Sequence, residues 1–229
     1  MRINKYISET GCCSRRETDR LIADCRITIN GVTCEAGDTV AEGDIVLIDG
    51  SPIPPKAIPV YLALNKPVGI TCTAAKDVKG NIIDFMDFPE RIFPVGRLDK
   101  ASEGLILLTN DGAIVNKIMR SEHGHEKEYL VKVDKPFDDD FILGMSGGVE
   151  ILGVTTKSCT VERISDCEFR IILTQGLNRQ IRRMCKVFGY KVERLERKRI
   201  MNLSVEGLSS GEWRELTVYE VEELMNRLA

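Results

Sequence analysis

Residues 96–112 read GRLDKASEGLILLTNDG, and they are the most informative stretch of this chain. Asp99 stands two residues after Arg97 and five before Gly104, just ahead of the apolar run 105–108. Such a run between turn residues predicts a buried strand, so Asp99 is placed on the loop that enters it. Because loops held by a rigid scaffold often carry the chemistry, Asp99 is the candidate catalytic residue. No second catalytic carboxylate, metal cluster or nucleotide loop accompanies it in the sequence.

The composition is that of an ordinary globular protein. The chain has 229 residues, of which 43% are apolar and 29% charged, which argues against disorder. No apolar run approaches the roughly 20 residues needed to cross a bilayer, and residues 1–5 lack an apolar signal core. The eight cysteines form no CxxC pair, which favours free thiols in a reducing compartment. These features predict a cytoplasmic protein without a membrane partner, and the lack of an obvious exposed apolar helix face favours a monomer.

Positive charge is concentrated in two segments although the net charge is −3. Residues 176–199 contain nine Lys or Arg against two Glu, and residues 2–26 contain six basic residues against four acidic ones. Residues 27–50 contain five acidic residues and no basic ones. Local fields of this kind can attract phosphates even when the total charge is negative.

The pattern predicts two domains joined by a linker. Residues 1–50 form a compact module in which Ser14 and Glu17 make a capping box and Asn30-Gly31 marks a hairpin. Residues 51–59 contain three prolines in four positions and predict an extended linker. Residues 60–229 form the larger domain.

That domain is predicted to be α+β. Strands without βαβ regularity indicate a mixed, largely antiparallel sheet flanked by helices. The predicted strands are 60–64, 105–109, 128–133, 157–163, 169–174, 191–196 and 200–205, and the predicted helices are 113–120, 137–144, 178–188 and 218–228.

The N-terminal module resembles an S4 RNA-binding domain in residues 3–7, 14–17 and 27–31. The resemblance implies that the module docks structured RNA. Its candidate RNA-binding residues are Lys5, Arg15, Arg16 and Arg20, of which Arg16 and Arg20 share one helix face. A solvated helix face is the alternative interpretation of these arginines.

The larger domain resembles the pseudouridine synthases, specifically the small-ribosomal-subunit type group. Residues 95–99, 102–105 and 107–112 are similar to the central motif of that family. Residues 65–69 resemble its first motif, 127–131 its tyrosine motif, and Leu173 with 176–184 its last motif. Within the group, residues 175–178 and 199–202 look most like a type that modifies large-subunit ribosomal RNA.

The resemblance implies that Asp99 is catalytic and that Arg182 is its partner cation. Tyr129 is the candidate ring in a pocket for a flipped-out uridine. Arg97 and Lys100 flank Asp99 and could bond phosphates or fill the vacated stack, while helical spacing favours phosphate contact for Arg179 and Arg183. Further candidate substrate-binding residues are Leu98, Leu173 and Gln180. Ribosomal RNA is the implied partner, with transfer RNA possible, and the isomerisation requires no cofactor and no metal.

The sequence opposes two other functional interpretations. A non-catalytic S4-type ribosome assembly factor is opposed by the complete Asp99 motif. An aminoacyl-tRNA synthetase is opposed by the short chain and by the absence of HIGH-like and KMSKS-like motifs in the sequence. The sequence also contains no GxGxxG methyltransferase loop and no Walker loop. His123 and His125 are interpreted as a polar loop and not as metal ligands, and Trp213 as a packing anchor.

Overall fold

The structure is a computed structural model that describes residues 1–75, 77–120, 122 and 124–228. The chain divides into two compact units. The first combines Met1–Val60 with two short returns of the chain, Phe88–Ile92 and Asn110–Gly112, and the second contains most of the remaining residues. The border after Val60 falls next to the end of the predicted linker at 51–59.

Two helices and a small antiparallel sheet build the first unit. These elements are α1 (Ile3–Glu9), α2 (Arg15–Ala23), β1 (Ile27–Ile29), β2 (Val32–Thr33), β3 (Val46–Ile48) and β4 (Ser51–Pro52), with strand order β2-β1-β3-β4. The predicted capping box is confirmed, because Glu17 N–H donates to Ser14 Oγ at 3.1 Å and Ser14 N–H donates to Glu17 Oε2 at 3.3 Å. The predicted hairpin is confirmed too, since Asn30 and Gly31 both have positive φ between β1 and β2.

A mixed sheet, a separate two-stranded hairpin and, among the described residues, five helices build the second unit. Its strands are β5 (Tyr61–Lys66), β6 (Phe93–Val95), β7 (Glu103–Thr109), β8 (Lys127–Val133), β9 (Glu150–Ile151), β10 (Val154–Thr155), β11 (Thr160–Arg163), β12 (Glu168–Leu173), β13 (Val192–Ile200), β14 (Leu203–Ser204) and β15 (Trp213–Glu215). Its helices are α3 (Ile82–Met86), α4 (Gly112–Met119), α5 (Asp139–Ser146), α6 (Gln180–Val187) and α7 (Val218–Leu228). The sheet runs β11-β12-β8-β13-β7-β5-β15, and only the β13–β7 pairing among these described strands is parallel. The predicted α+β class is confirmed.

The parallel pairing brings β13 against the start of β7, close to Asp99. Gly104 pairs with Arg197 there and has φ +99. A Cβ at position 104 would collide with the backbone of Arg197, so only glycine allows the two strands to meet. Residues 104–109 of β7 are buried, as the apolar run predicted.

Several predicted boundaries were wrong for identifiable reasons. Strands 191–196 and 200–205 are one long strand, β13, followed by β14, because β13 pairs with β8 through two bulges. Helix α5 begins at Asp139, two residues later than predicted, since the Asp138 carboxylate caps the Phe141 N–H at 3.0 Å. Helix α6 begins at Gln180 because Arg179 has φ 51 and cannot continue a right-handed helix. Trp213 is not a packing anchor: it lies on β15 at the sheet edge and is 41% exposed.

Short elements escaped prediction altogether, namely α3, β6, β15 and the β9–β10 hairpin. Within the part of the chain that the structure describes, no helix combines the length and apolar character required to cross a membrane.

Candidate active site

Asp99 lies on the loop between β6 and β7, and hydrogen bonds hold this loop from several sides. Leu98 N–H donates to Cys72 Sγ at 3.4 Å, and Gly69 N–H donates to the Lys100 carbonyl at 2.8 Å. Ser102 N–H closes a turn by donating to the Asp99 carbonyl at 3.0 Å. The Asp99 side chain is 31% exposed, so its carboxylate is fixed by the fold and still reachable.

Two guanidinium groups face the Asp99 carboxylate. Arg179 Nη1 lies 3.4 Å from Asp99 Oδ2, and Arg182 Nε lies 3.8 Å from the same oxygen. The left-handed backbone at Arg179 and the first turn of α6 together direct both side chains to Asp99. Sequence reasoning paired only Arg182 with the carboxylate, and the structure adds Arg179 at a shorter distance.

Arg182 is the more deeply held of the two arginines, at 13% exposure against 49% for Arg179. Its guanidinium donates to Val192 O at 3.1 Å, Ala101 O at 2.9 Å and Ser102 Oγ at 3.1 Å. Its Nε is buried and has no hydrogen-bond partner among the described residues. Burial lowers the pKa of Arg182, the charge of Arg179 lowers it further, and Asp99 opposes both. An arginine keeps its proton despite such a shift, so Arg182 supplies a fixed positive charge beside Asp99.

An open cleft surrounds this group and contains about 470 Å³ of empty space continuous with solvent. The predicted residues that line it are Arg97, Leu98, Asp99, Tyr129, Leu173, Arg179, Gln180 and Arg182, and Ser102, Gln175, Gly176, Leu177, Ile181 and Leu195 line it as well. Tyr129 is almost fully buried on β8, opposite Ile171 of β12. The cleft therefore combines one apolar and aromatic wall with one carboxylate and three guanidiniums, two of which face that carboxylate.

Two predicted residues, Lys100 and Arg183, are not among the described residues that line the cleft. Lys100 is exposed on the loop. Arg183 turns back onto its own segment, where Nε donates to the Asn178 carbonyl at 3.0 Å and Nη2 to Asn178 Oδ1 at 3.3 Å. Arg183 therefore supports the loop that carries Arg179.

Three buried cations, Lys66, Lys127 and Arg197, were not singled out from the sequence. Lys66 Nζ donates to Pro67 O at 2.8 Å and Ile70 O at 3.0 Å, and Arg197 Nε donates to Leu105 O at 2.7 Å. Burial lowers the pKa of Lys66 and of Lys127, whereas Cys72, Glu103 and Asp99 act in the opposite direction on Lys66. These cations add positive potential behind the Asp99 loop. No local signal marks them, because their burial comes from pairing between distant strands.

The arginines of the first unit form a separate basic face. Helix α2 buries Thr18 and Ile22, and Arg15, Arg16 and Arg20 are exposed. Within the described residues none of these three side chains forms an ion pair. Lys5, by contrast, lies 3.7 Å from Glu9.

Among the residues that the structure describes, no group of three or more His, Cys, Asp or Glu could hold a metal ion. His123, half of the predicted polar His pair, lies outside the described residues.

Known proteins are similar to this chain in sequence and in fold. The family model for RNA pseudouridylate synthase matches residues 60–186, and the S4 domain model matches residues 1–46. The chain belongs to the RNA pseudouridylate synthase family, as its motifs predicted, and it is an RNA pseudouridine synthase with an S4 domain.

Comparison with individual proteins indicates which kinds of pseudouridine synthase this chain is similar to. The dual-specificity RNA pseudouridine synthase RluF of Salmonella typhi is 56% identical over 225 residues, covering 97% of this chain and 78% of that protein. The ribosomal large subunit pseudouridine synthase B of Bacillus subtilis (strain 168) is 34% identical over 233 residues, covering 97% of this chain and 95% of that protein. A crystal structure of a pseudouridylate synthase has a TM-score of 0.72 at 30% identity, covering 98% of this chain and 99% of that one.

Proposed function

We propose that this enzyme converts a specific uridine of large-subunit ribosomal RNA to pseudouridine, with Asp99 as the catalytic carboxylate. The observation that carries the proposal is the Asp99 carboxylate facing Arg179 and Arg182 in a cleft with an apolar and aromatic wall. The large-subunit name of the Bacillus subtilis relative supports the choice of RNA.

The reaction is an isomerisation, and its atoms balance without a co-reactant. The bond between N1 and C1′ breaks, the uracil turns over, and C5 bonds to C1′. The C5 proton leaves and N1 gains a proton. Asp99 either attacks C1′ or removes a sugar proton, and both routes use the same carboxylate.

The neighbouring side chains have distinct roles in this proposal. Arg182 and Arg179 hold and orient the Asp99 carboxylate until the substrate enters. Tyr129 stacks against the uracil, and Leu98 and Leu173 supply apolar contacts. The uridine has to leave its RNA stack to reach Asp99, at a cost of a few kcal/mol that these contacts offset. Arg97 and Lys100 contact the phosphates beside the flipped nucleotide or fill the gap it leaves.

The test uses transcripts of large-subunit rRNA, small-subunit rRNA and transfer RNA, each labelled with tritium at C5 of uridine. We expect the wild type to release tritium from large-subunit rRNA and Asp99→Asn to release none while still binding it. Asp139→Asn is the matched control, since Asp139 is a 91% exposed carboxylate in the same unit.

Each outcome separates one part of the proposal from another. Turnover by Asp99→Asn would remove Asp99 as the essential group. Release only from small-subunit rRNA or from transfer RNA would refute the large-subunit target and keep the chemistry. The transfer RNA arm is included because the RluF relatives are named dual-specificity.

A further inference from the structure

A second basic groove continues from the candidate active site, and the proposed chemistry does not use it. This side groove is lined by Arg179, Arg182, Lys186, Tyr190, Lys191 and Val192, with about 660 Å³ of space continuous with solvent. Arg179 and Arg182 line the cleft around Asp99 as well. A polymer whose reacting unit sits at Asp99 can therefore extend directly into the side groove.

The side-chain ammonium groups of the two side-groove lysines are not paired with a carboxylate of any described residue. Neither Lys186 nor Lys191 forms a side-chain ion pair with a described residue, and none of the described residues lining the groove is acidic. Several other cations of the same unit are paired with carboxylates, as at Lys198 Nζ, which lies 2.8 Å from Glu196. Unpaired cations on a concave wall focus a positive potential that favours a polyanion.

The groove wall is held in place by contacts outside it. The Tyr190 ring packs on Phe141 with centroids 4.6 Å apart, and Tyr190 N–H donates to Cys185 O at 2.9 Å. Lys191 N–H donates to Asp134 Oδ1 at 2.8 Å, and Asp134 N–H donates back to the Lys191 carbonyl at 3.0 Å. The backbone that carries both lysines is thus set before any ligand arrives.

We infer that the side groove binds the phosphodiester backbone of the RNA strand next to the flipped uridine, with Lys186 and Lys191 each contacting one phosphate. The inference rests on the proposed function, because it takes the uridine at Asp99 as its starting point. It adds two residues that neither the family motifs nor the cleft had singled out.

The test compares two double variants that each remove two positive charges from the same unit. Lys186→Gln with Lys191→Gln changes the side groove, whereas Lys132→Gln with Lys198→Gln removes two lysines that face Glu193 and Glu196. Both double variants are placed in the Asp99→Asn background, and binding of the large-subunit rRNA transcript is measured over a range of salt concentrations. We expect the groove variant to flatten the slope of log K against log[salt] by roughly 1.4 to 1.8 and to weaken binding about tenfold. The control variant should keep the wild-type slope.

An unchanged salt slope in the groove variant would overturn the inference. An equal flattening of the slope in the control variant would overturn it as well. If the groove instead receives an acidic segment of a partner protein, the RNA slope will not change, which is the same negative result. In the Asp99-containing protein, the groove variant should need about tenfold more RNA to reach half of its maximal single-turnover rate, in line with its weaker binding. Should the wild type bind RNA and form no pseudouridine, the proposed function fails while the salt comparison still decides the groove.

Discussion

Strand β13 and the region around helix α6 are both rich in cations, but they use that charge differently. On β13, Arg194 contacts Glu103 and Glu196, and Arg199 lies 2.9 Å from Glu126 and 3.0 Å from Glu128. Around α6, Lys186 and Lys191 have no ion pair with a described residue, and the acidic neighbour of Arg179 and Arg182 is Asp99.

The difference separates charge that serves the fold from charge that is open to a ligand. Each of the β13 pairs includes at least one partly exposed side chain, and solvent-screened ion pairs contribute about 1 kcal/mol or less each, so these pairs mainly cancel charge on the sheet. Unpaired cations keep their potential and can replace counterions on a polyanion. Removing a paired cation should therefore change stability, and removing an unpaired one should change RNA binding.

Arg182 both stabilises the fold through its hydrogen bonds and places a positive charge beside Asp99. We therefore expect the largest effect on activity and stability from a substitution at Arg182. Arg182→Gln leaves the carbonyls of Ala101 and Val192 without their donor and removes a charge beside Asp99. The single-turnover rate should fall about 100-fold or more, and the free energy of unfolding by about 2–3 kcal/mol. Both are measurable on the same variant, by tritium release and by denaturant unfolding.

Arg182→Lys is the matching variant, because it keeps the charge and loses the forked geometry. It should recover part of the rate and little of the stability. A wild-type rate in Arg182→Gln would show that the charge beside Asp99 is not needed for the reaction.

The ion pair between Arg214 and Glu220, which does not line the cleft, tests the contribution of paired cations to stability. Glu220 accepts from both terminal nitrogens of Arg214 at 2.7 Å and from Thr217 N–H at 2.9 Å, joining β15 to α7. The Arg214 guanidinium lowers the pKa of Glu220 from 4.5 to about 2. Since the folded pKa is the lower one, this stabilisation is present above pH 4.5 and is lost as pH falls through about 2.

Glu220→Gln should therefore lower the free energy of unfolding by about 2 kcal/mol at pH 7, after allowance for partial exposure, and by much less near pH 2. Fluorescence of Trp213, the single tryptophan, reports on β15 directly. RNA affinity should not change. Glu223→Gln, which breaks an exposed pair with Arg227, should cost less, and an equal cost would contradict the role assigned to Arg214.

Sequence reasoning recovered what depends on local pattern. The Ser14–Glu17 capping box, the Asn30-Gly31 hairpin, the buried run after Asp99 and the helical spacing of the α6 arginines can all be recognised within a few residues. The family motifs then brought Asp99, Tyr129 and Arg182 to one site, and these three line one cleft.

What the sequence missed depends on contacts between distant segments. Residues 176–199 look like one basic surface with two glutamates, yet its second half is neutralised by Glu103 on β7, by Glu128 on β8 and by Glu126 just before β8. Arg197 is buried for the same reason, since its environment is formed by strands far along the chain. Trp213 was misjudged because nothing local shows that β15 is an edge strand.

The smallest effect on RNA binding is expected for an unpaired arginine of helix α2, which can be compared directly with Arg26, a paired arginine of the same unit. Arg15 and Arg16 occupy its first turn, where a cation opposes the helix dipole by about 0.3–1 kcal/mol. Arg16→Gln should therefore leave unfolding unchanged or make the first unit slightly more stable. RNA binding should weaken roughly threefold, with a salt slope flatter by roughly 0.7 to 0.9. Arg26→Gln removes the same charge from a cation that Asp49 already pairs with, so it should destabilise the unit and keep the slope. If both variants flatten the slope equally, pairing does not decide which cations of this unit bind RNA.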